Sequence, residues 1–353
     1  MATSIEWVRG EDGAAGETWN FARGCSRVDT ACQNCYAQNL AHRFSGKNQP
    51  YEGLTALGKH GPRWTGEVRF IPEQLSTPLK WRKPRRIFPC SMSDAFHADL
   101  TNEQIAAAFG VMAATPQHTY VMTTKRADRM REWFAWAEQR GKEYDLMRHG
   151  MPSALLACAW EACSGDAWGD VEPPSNWDMP TPNLFGSQWP LPNVHLGVSA
   201  GTQASADERI ADLLETPAAV RWVSLEPLLE SVGIEAFLKT PARDECLVIL
   251  GGEPGPGLDW VVVGGESGPG ARLCNVEWIR DVLRQCHNAN VPCFVKQLGA
   301  FPASGDALAT GEFRTTGDGR CQVRMAVPSL KLQDAKGGDM AEWPEDLRVR
   351  QLP

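Results

Sequence analysis

The sequence has no run of apolar residues long enough to cross a bilayer, which would take about 18. It also lacks a basic N-terminal segment followed by an apolar stretch, the pattern typical of a secretory signal. Disulfide-type cysteine spacing is absent too, because most of the 11 cysteines are scattered and their number is odd. We therefore expect a cytoplasmic protein with reduced thiols and no membrane partner.

An excess of positive charge is absent as well, because 35 Lys and Arg are outnumbered by 43 Asp and Glu, which gives a formal net charge of −8. A protein that coats nucleic acid by bulk electrostatics needs a basic face, so this composition argues against that class. The basic run from Lys80 to Arg86 is a local exception and is most simply a solvated loop that enters a strand. The charge does not exclude an enzyme that binds a single nucleotide.

What the sequence does contain is an alternation of short apolar runs and amphipathic segments. It predicts helices near 102–114, 127–140, 206–215 and 275–289, and strands near 17–22, 85–90, 119–124, 193–200, 220–227, 258–268 and 291–299. Thr101 with Gln104 and Ser205 with Glu208 form capping patterns, and Gly141 is expected to end the second helix.

Alternating strands and helices predict an α/β fold with a parallel sheet that is covered on both faces. No G-x-G-x-x-G motif opens the first helix. This absence favours a full or partial (β/α) TIM-like barrel, and a doubly wound sheet is the alternative.

Two irregular stretches interrupt the alternation and predict insertions in the barrel. The first, 150–192, is rich in Trp and Pro, and the second, 235–257, is rich in turns. After about residue 301 the periodicity is weak. We predict a barrel over residues 1–300 and a C-terminal extension over 301–353 that packs on it.

Polar residues recur where the predicted strands end. In a parallel barrel these ends form one mouth, which carries the active-site residues. Any one polar residue in a loop is unremarkable, so the prediction of a site rests on their convergence. The positions are Ser91, Asp94, Lys125, Arg126, Ser199, Gln203, Ser224, Glu226, Gly264, Gly265, Glu266, Ser267, Lys296 and Gln297.

Three cysteines follow the first predicted strand with the spacing C-x6-C-x2-C: Cys25, Cys32 and Cys35. Thiolates select zinc or iron–sulfur clusters. Structural zinc takes four protein ligands, whereas a [4Fe–4S] cluster held by three cysteines leaves one iron open. The spacing is compatible with a zinc site and with a [4Fe–4S] cluster, and Cys90 is a candidate fourth ligand. The polar loop disfavours inert core thiols.

The segment VVVGGESGPGAR (261–272) ends a predicted strand in two glycines. A glycine pair permits close approach of a ligand, and free backbone N–H groups there can bind a carboxylate or phosphate. Glu266 could bind an amino group or ribose hydroxyls. The segment is therefore a candidate part of a cofactor site.

Seven motifs, in order, resemble the phage Gp37/Gp68 family, also described as a three-Cys-motif domain of unknown function. They span about residues 17–300 and are TWNFARGCSRVDTACQNCYAQNLAHRF, SMSDAFH, TTKRADRM, NVHLGVSA, VRWVSLEPLL, DWVVVGGESGPGAR and VPCFVKQLG. That family resembles radical S-adenosylmethionine (SAM) enzymes and, distantly, spore photoproduct lyase. The resemblance implies a [4Fe–4S] cluster on a full or partial TIM barrel, in the cytosol of a bacterium or phage-infected host.

The resemblance also implies residue roles. Cys25, Cys32 and Cys35 would hold the cluster, whose open iron would bind the amino and carboxylate groups of SAM. The remaining SAM contacts would be Ser91, Ser93 and Asp94 near the amino group, Ser199 near the ribose, and Gly264, Gly265 and Glu266 in the cradle. Radical SAM enzymes usually have C-x3-C-x2-C, so the longer first gap leaves zinc or a cluster without SAM as alternatives.

The first functional hypothesis is therefore a radical-SAM-type enzyme supplied with electrons by an external donor. Its anionic substrate, a nucleotide or a DNA base to be modified or repaired, would lie against Lys125, Arg126, Glu226 and Lys296. Of these, Lys125, Glu226 and Lys296 are the predicted catalytic residues. Tryptophans of the first insertion could stack on the base or simply pack the insertion itself: Trp160, Trp168, Trp177 and Trp189. The alternative is a non-catalytic zinc- or iron–sulfur-binding protein that binds nucleic acid or another partner.

Overall fold

A computed structural model describes residues 2–3, 5–10, 13, 15–59, 61–144, 189–239, 255–268, 270–304, 314–315, 321–322 and 330–353. Its main element is an eight-stranded sheet that curls into a half-barrel. The strands are β1 (Ala2–Thr3), β2 (Gly16–Trp19), β3 (Arg86–Pro89), β4 (Thr119–Thr124), β5 (Val194–Ser199), β6 (Val220–Leu225), β7 (Trp260–Gly264) and β8 (Cys293–Gln297).

The strands lie side by side in chain order. β1 and β2 are antiparallel, and every other neighbouring pair is parallel. This order lacks the reversal that defines a doubly wound sheet, so that alternative is wrong. The predicted α/β class with a mostly parallel sheet is confirmed, in the form of an open half-barrel with β1 and β8 at its edges.

Five α-helices lie within the described ranges: α1 (Tyr36–His42), α2 (Asn102–Ala114), α3 (Ala127–Tyr144), α4 (Gln203–Glu215) and α5 (Val276–Ala289). Helices α2 to α5 connect parallel strands and pack on the outer face of the sheet. That face forms the main core, in which Met122 and Val223 of the strands meet Phe109 and Ile210 of the helices. In such βα units the strands run in the same direction, so their carboxyl ends all lie along one edge of the sheet, the carboxyl edge.

The opposite, concave face holds a second apolar cluster rich in aromatic rings. Trp222 has its ring centroid 5.1 Å from those of both Trp7 and Trp260, and Phe88 and Phe294 complete the layer. These rings fill the inside of the half-barrel below its carboxyl edge. The strands therefore bury apolar residues on both sides, as their continuous apolar runs predict.

The capping prediction for α2 is confirmed. Thr101 Oγ1 accepts a hydrogen bond from Gln104 N (3.2 Å), and Gln104 Oε1 accepts one from Thr101 N (3.0 Å). These reciprocal bonds satisfy two of the N–H groups that a helix start leaves unpaired. Helix α2 accordingly occupies the predicted range.

Two other helix boundaries differ from the prediction. Helix α3 continues through Gly141 to Tyr144, because a single interior glycine costs only about 1 kcal/mol and strong helix formers surround it. Helix α4 begins at Gln203, since the N-cap is Thr202 and Ser205 occupies the third helical position. A serine hydroxyl there returns a hydrogen bond to the cap, which makes Glu208 unnecessary.

The C-terminal residues 330–353 pack along the edge strand β8. Val295 N donates to Val349 O (2.8 Å), Gln351 N donates to Cys293 O (3.0 Å), and Trp343 is buried. These contacts cover one exposed edge of the sheet. The predicted boundary at residue 300 stays a prediction.

Residues 145–188 and 240–254 lie outside the described residues, and they contain most of the two predicted insertions, 150–192 and 235–257, with Trp160, Trp168 and Trp177. Trp189 is described, and its ring lies 5.5 Å from that of Phe134, in a contact with α3. No helix among the described ranges has the length and apolarity needed to cross a bilayer.

Candidate metal centre and its surroundings

The three cysteines lie in and just after the loop that follows β2, at the carboxyl edge of the sheet. Asp29 caps the short 3-10 turn that ends at Cys32, accepting from Cys32 N (3.2 Å), and Cys35 is the N-cap residue of α1. All three thiols are free and half-buried. Local turns therefore fix the backbone positions of Cys32 and Cys35 independently of any metal ligation.

The described ranges contain no group of three His, Cys, Asp or Glu side chains close enough together to hold one metal ion. The three sulfurs are thus not gathered around a single point. A [4Fe–4S] cluster makes a different demand, because each cysteine binds a separate iron. A donor set of three soft thiols fits such a cluster chemically.

Two cations lie beside the thiols. Arg126 Nη1 is 3.9 Å from Cys25 Sγ and 3.0 Å from Asp94 Oδ2. Burial lowers the pKa of Lys125, while the nearby Asp29 and Cys32 act to raise it. The pKa of the Cys25 thiol is raised to about 12, mainly by burial and further by the negative charge of Asp94. The positive charge of Arg126 acts in the opposite direction and lowers this pKa.

Asp94 is buried between the ends of β3 and β4, where it binds several neighbouring groups. It accepts four hydrogen bonds, from Phe96 N (3.0 Å), Thr124 Oγ1 (2.7 Å), Lys125 N (3.1 Å) and Arg126 Nη1 (3.0 Å). These contacts use both carboxylate oxygens. Asp94 therefore holds Arg126 towards Cys25.

Ser91 and Ser93 also bond to the protein itself. Ser91 Oγ donates to Asn20 Oδ1 (3.1 Å), and Ser93 Oγ donates to Ala22 O (3.0 Å). Both partners lie in the segment that follows β2. The three residues predicted to contact the SAM amino group thus lie at the carboxyl edge and tie neighbouring strand ends together.

Glu266 forms a clamp between the loop after β7 and the cysteine loop. Its carboxylate pairs with Arg272 at 2.5 Å and 2.8 Å and accepts from Asn34 Nδ2 (3.0 Å), while Arg272 Nη1 donates to Thr30 O (2.9 Å). Burial would raise the pKa of Glu266, but the hydrogen bonds from Arg272 and Asn34 hold it below its ordinary value.

Gly264 and Gly265 are needed by the packing of the protein itself. A Cβ on Gly264 would stand 2.8 Å from Glu226 Oε1, and one on Gly265 would stand 2.3 Å from Leu298 O. The glycine pair thus allows the segment after β8 to approach β7 closely. This reason for two glycines requires no ligand.

The remaining predicted residues form a connected chain across β4, β5, β6 and β8. Lys125 Nζ donates to Ser199 Oγ (2.6 Å), and Ser199 Oγ donates to Glu226 O (3.2 Å). The Glu226 carboxylate pairs with Lys296 Nζ at 3.0 Å. The structure therefore brings Lys125, Ser199, Glu226 and Lys296 together at one edge.

Sequence reasoning missed several residues of this site. Asn34 and Arg272 form the clamp described above, and Arg209 pairs with Asp29 (2.7 Å) and donates to Ser199 O (2.6 Å). Arg209 is buried on the face of α4 that also buries Ile210. A charged residue on a buried helix face was the available signal, because such a charge needs a partner.

Cys90, the candidate fourth ligand, belongs to the main core and is 4% exposed. It follows the last residue of β3 and has φ 56°, a left-handed conformation that is uncommon outside glycine. Burial raises the pKa of its thiol to about 12. Its role as a ligand stays a prediction.

Most of the chain matches one protein-family model. That model is described as a protein of unknown function, DUF5131, and it covers residues 2–337. The chain belongs to the DUF5131 family. This is a phage Gp37/Gp68-like family, so that part of the resemblance is confirmed. No curated protein and no solved structure matches the chain.

Proposed function

We propose that this DUF5131 protein is a radical-SAM-type enzyme whose Cys25, Cys32 and Cys35 hold a [4Fe–4S] cluster. The observation that supports the proposal is the placement of a three-thiol loop over the carboxyl edge of a curled parallel sheet. We take the half-barrel to be a partial TIM-type barrel, in which reactive groups sit at that edge. When bound, the cluster would supply the electron that cleaves SAM into methionine and a 5′-deoxyadenosyl radical.

The residues around the thiols would stabilise their ligand form. A thiolate ligand carries negative charge, and Arg126, 3.9 Å from Cys25, offsets part of it. Asp94 and Ser26 fix the guanidinium, since Arg126 Nη2 donates to Ser26 Oγ (2.8 Å). Such outer partners orient ligands and raise the affinity for the metal group.

The chain of residues from Lys125 to Lys296 would bind the substrate. Lys125 and Lys296 carry the positive charge that suits a phosphate or carboxylate, and Glu226 lies between the strands that bear them. The aromatic layer fills the inside of the half-barrel, so the substrate would enter from the carboxyl edge. A nucleotide or a DNA base fits this arrangement of charges, and its modification or repair is the reaction class that we propose.

One observation favours a second candidate, a zinc- or cluster-binding protein without SAM chemistry. The polar side-chain atoms of Ser91, Ser93, Asp94 and Glu266 are already hydrogen-bonded within the protein. SAM would have to exchange with these bonds or add to them, and their loss would cost free energy. A non-catalytic metal protein would need no such exchange.

The experiment is metal and product analysis of anaerobically purified protein. We expect about four irons per chain and, after reduction with dithionite in the presence of SAM, 5′-deoxyadenosine. Cys32→Ala should lose the iron, whereas Cys286→Ala, a buried cysteine on α5, should keep it. One zinc and no iron would refute the radical mechanism. Iron without 5′-deoxyadenosine would favour the second candidate.

Cys90→Ala tests the number of protein ligands. If three cysteines hold the cluster, this variant retains about four irons per chain and still forms 5′-deoxyadenosine. Loss of the cluster from a folded Cys90→Ala protein would mean four protein ligands and no open iron. The unfolding temperature of the variant shows whether it is folded.

A further inference from the structure

Helix α1, which starts directly after Cys35, has its large apolar residues on the outside. Its buried residues are Ala37, Gln38 and Ala41. Tyr36, Leu40 and the following Phe44 are 55%, 40% and 48% exposed. Their spacing of four residues places them along one face of the helix. This pattern is the reverse of an ordinary amphipathic helix.

The orientation of α1 is fixed by its small residues. Ala37 and Ala41 pack on Leu54, Trp64 and Met92, which form a separate apolar cluster. A larger side chain at either alanine would have to displace these neighbours, so the helix cannot turn its tyrosine, leucine and phenylalanine inward. Because burying such side chains is strongly favourable, a helix that exposes three of them in a row indicates a binding surface.

The surroundings of α1 are basic in an otherwise acidic chain. Residues 23–69 contain seven Lys and Arg against three Asp and Glu, a local charge of +4, whereas the chain as a whole has −8. Arg43, Lys47 and Arg63 are exposed and make no ion pair with any described carboxylate, unlike Arg69, which pairs with Glu67 (2.7 Å). Arg43 follows α1 directly, and Lys47 lies four residues further along the chain. Arg63 lies in the antiparallel hairpin of strands Thr55–Gly58 and Gly61–Trp64, which packs against α1.

One end of this face lies at the candidate metal centre. Tyr36 adjoins Cys35, and its hydroxyl donates to Ser91 O (2.8 Å) after β3. We call Tyr36, Leu40, Arg43, Phe44 and Lys47 the α1 surface. It leads from the cysteine loop outward, with rings and cations interleaved.

We propose that the α1 surface binds single-stranded nucleic acid and leads one of its bases to the site beside the cysteine loop. Exposed rings stack on unpaired bases, and cations without partners bind phosphates. A duplex offers no free base faces to Tyr36 and Phe44. This inference rests on the proposed function and deepens it, because it names the substrate class.

The test is fluorescence anisotropy with the full chain and a labelled mixed-sequence oligonucleotide, measured over a range of salt concentrations. Phe44→Ala should weaken single-strand binding roughly ten-fold without changing the salt dependence, since stacking is not ionic. The double variant Arg43→Gln with Lys47→Gln should weaken binding and reduce the slope of log K against log salt by about 1.4, from two lost phosphate contacts.

The matched control is Arg82→Gln with Lys83→Gln, which removes two exposed cations. These residues precede β3 and so lie at the amino-terminal ends of the strands, opposite the carboxyl edge. It should bind the oligonucleotide like the unaltered protein. An equal loss in this control, or equal affinity for duplex and single strand, would overturn the inference. So would a monomer–dimer change in Phe44→Ala without an effect on oligonucleotide binding, because the surface would then be an interface between copies.

Different experimental results would overturn the nucleic-acid binding inferred for the α1 surface and the proposed radical-SAM function. Iron and 5′-deoxyadenosine in a protein that does not bind single strands would overturn the inference alone. Single-strand binding that depends on Phe44, in a protein without iron, would overturn the proposed function alone. Iron content and the unfolding temperature of each variant show whether a binding defect has its origin in a lost fold.

Discussion

At the scale of single residues, the site is held together by buried charges with several partners each. Asp94, 7% exposed, accepts four hydrogen bonds, and Glu266, 6% exposed, is paired with Arg272 and Asn34. A buried charge is stable only when it is paired and hydrogen-bonded. Removing one such partner leaves the other uncompensated, which makes these residues sensitive to substitution.

Asp94→Asn should therefore destabilise the protein by about 3 kcal/mol, because it removes the charge that pairs with Arg126 and presents an amide group to donors. Asp99→Asn changes the same chemical group five residues later, where the side chain is 54% exposed, and should cost less than about 0.5 kcal/mol. Urea unfolding measures both. Similar losses in the two variants would contradict the role given to Asp94.

His195 on β5 should make stability depend on pH. Burial lowers its pKa to about 4, with a contribution from Arg86, against an ordinary value of 6.5. Between these values the unfolded chain binds the proton and the folded chain does not, so stability falls as pH falls. From pH 7 to pH 5 this group should cost roughly 2 kcal/mol.

The measurement is urea unfolding of the protein and of His195→Gln at both pH values. Carboxylates contribute equally to the two proteins, so the difference between them isolates the histidine. We expect His195→Gln to lose less stability on acidification. An identical loss would mean that His195 titrates normally in the folded state.

At the scale of elements, the loop after β7 serves as a brace for the cysteine loop. Arg272 binds Glu266 and Thr30 O, and so links the two loops. Arg272→Ala should free the cysteine loop and increase the rate at which Cys25, Cys32 and Cys35 react with a thiol reagent, roughly ten-fold, if the lost bonds contribute about 1.4 kcal/mol.

Mass spectrometry of the labelled protein before metal loading measures this rate at each cysteine. Arg280→Ala is the control, since Arg280 pairs with Asp346 (2.6 Å) near the chain end and does not contact the cysteine loop. Unchanged cysteine reactivity in Arg272→Ala would show that the clamp does not restrain the loop.

The packing of β5 against β6 depends on one glycine. A Cβ on Gly197 would stand 2.4 Å from the Trp222 ring, so Gly197→Ala must displace the aromatic layer of the concave face. We expect a loss of about 2 kcal/mol. Gly255→Ala, where a Cβ would meet nothing within 4 Å, should be nearly neutral. Thermal unfolding of both variants checks the comparison.

At the scale of the whole molecule, the C-terminal residues complete the sheet. Trp343 is buried against the main core and its Nε1 donates to Gly337 O (2.9 Å). Trp343→Ala should lower stability by about 3 kcal/mol in a single unfolding transition, while Glu345→Ala, which is exposed, should change little. A separate early transition in calorimetry would instead mark residues 330–353 as an independent unit.

The sequence alone determined most of the main elements, although α1 (Tyr36–His42) was not predicted from it. Apolar runs and capping residues depend on local spacing, so they predicted strands β2 to β8, helix α2 with its Thr101 cap, and a parallel sheet. They also predicted that polar residues gather at the carboxyl edge, because strand polarity fixes that edge for all βα units. The three cysteines were evident from their spacing alone.

Only the tertiary structure decided what those polar residues bind and how the sheet ends. From the sequence, Glu266 was predicted to bind a cofactor, whereas in the structure it binds Arg272 and Asn34. These two partners lie in two loops that meet only when β2 and β7 are in place. The glycine pair is explained by Leu298 O and Glu226 Oε1, which sequence spacing cannot bring near. Packing between distant segments determines whether the sheet closes and which face of α1 is exposed to solvent. Such contacts cannot be predicted from the local spacing of residues.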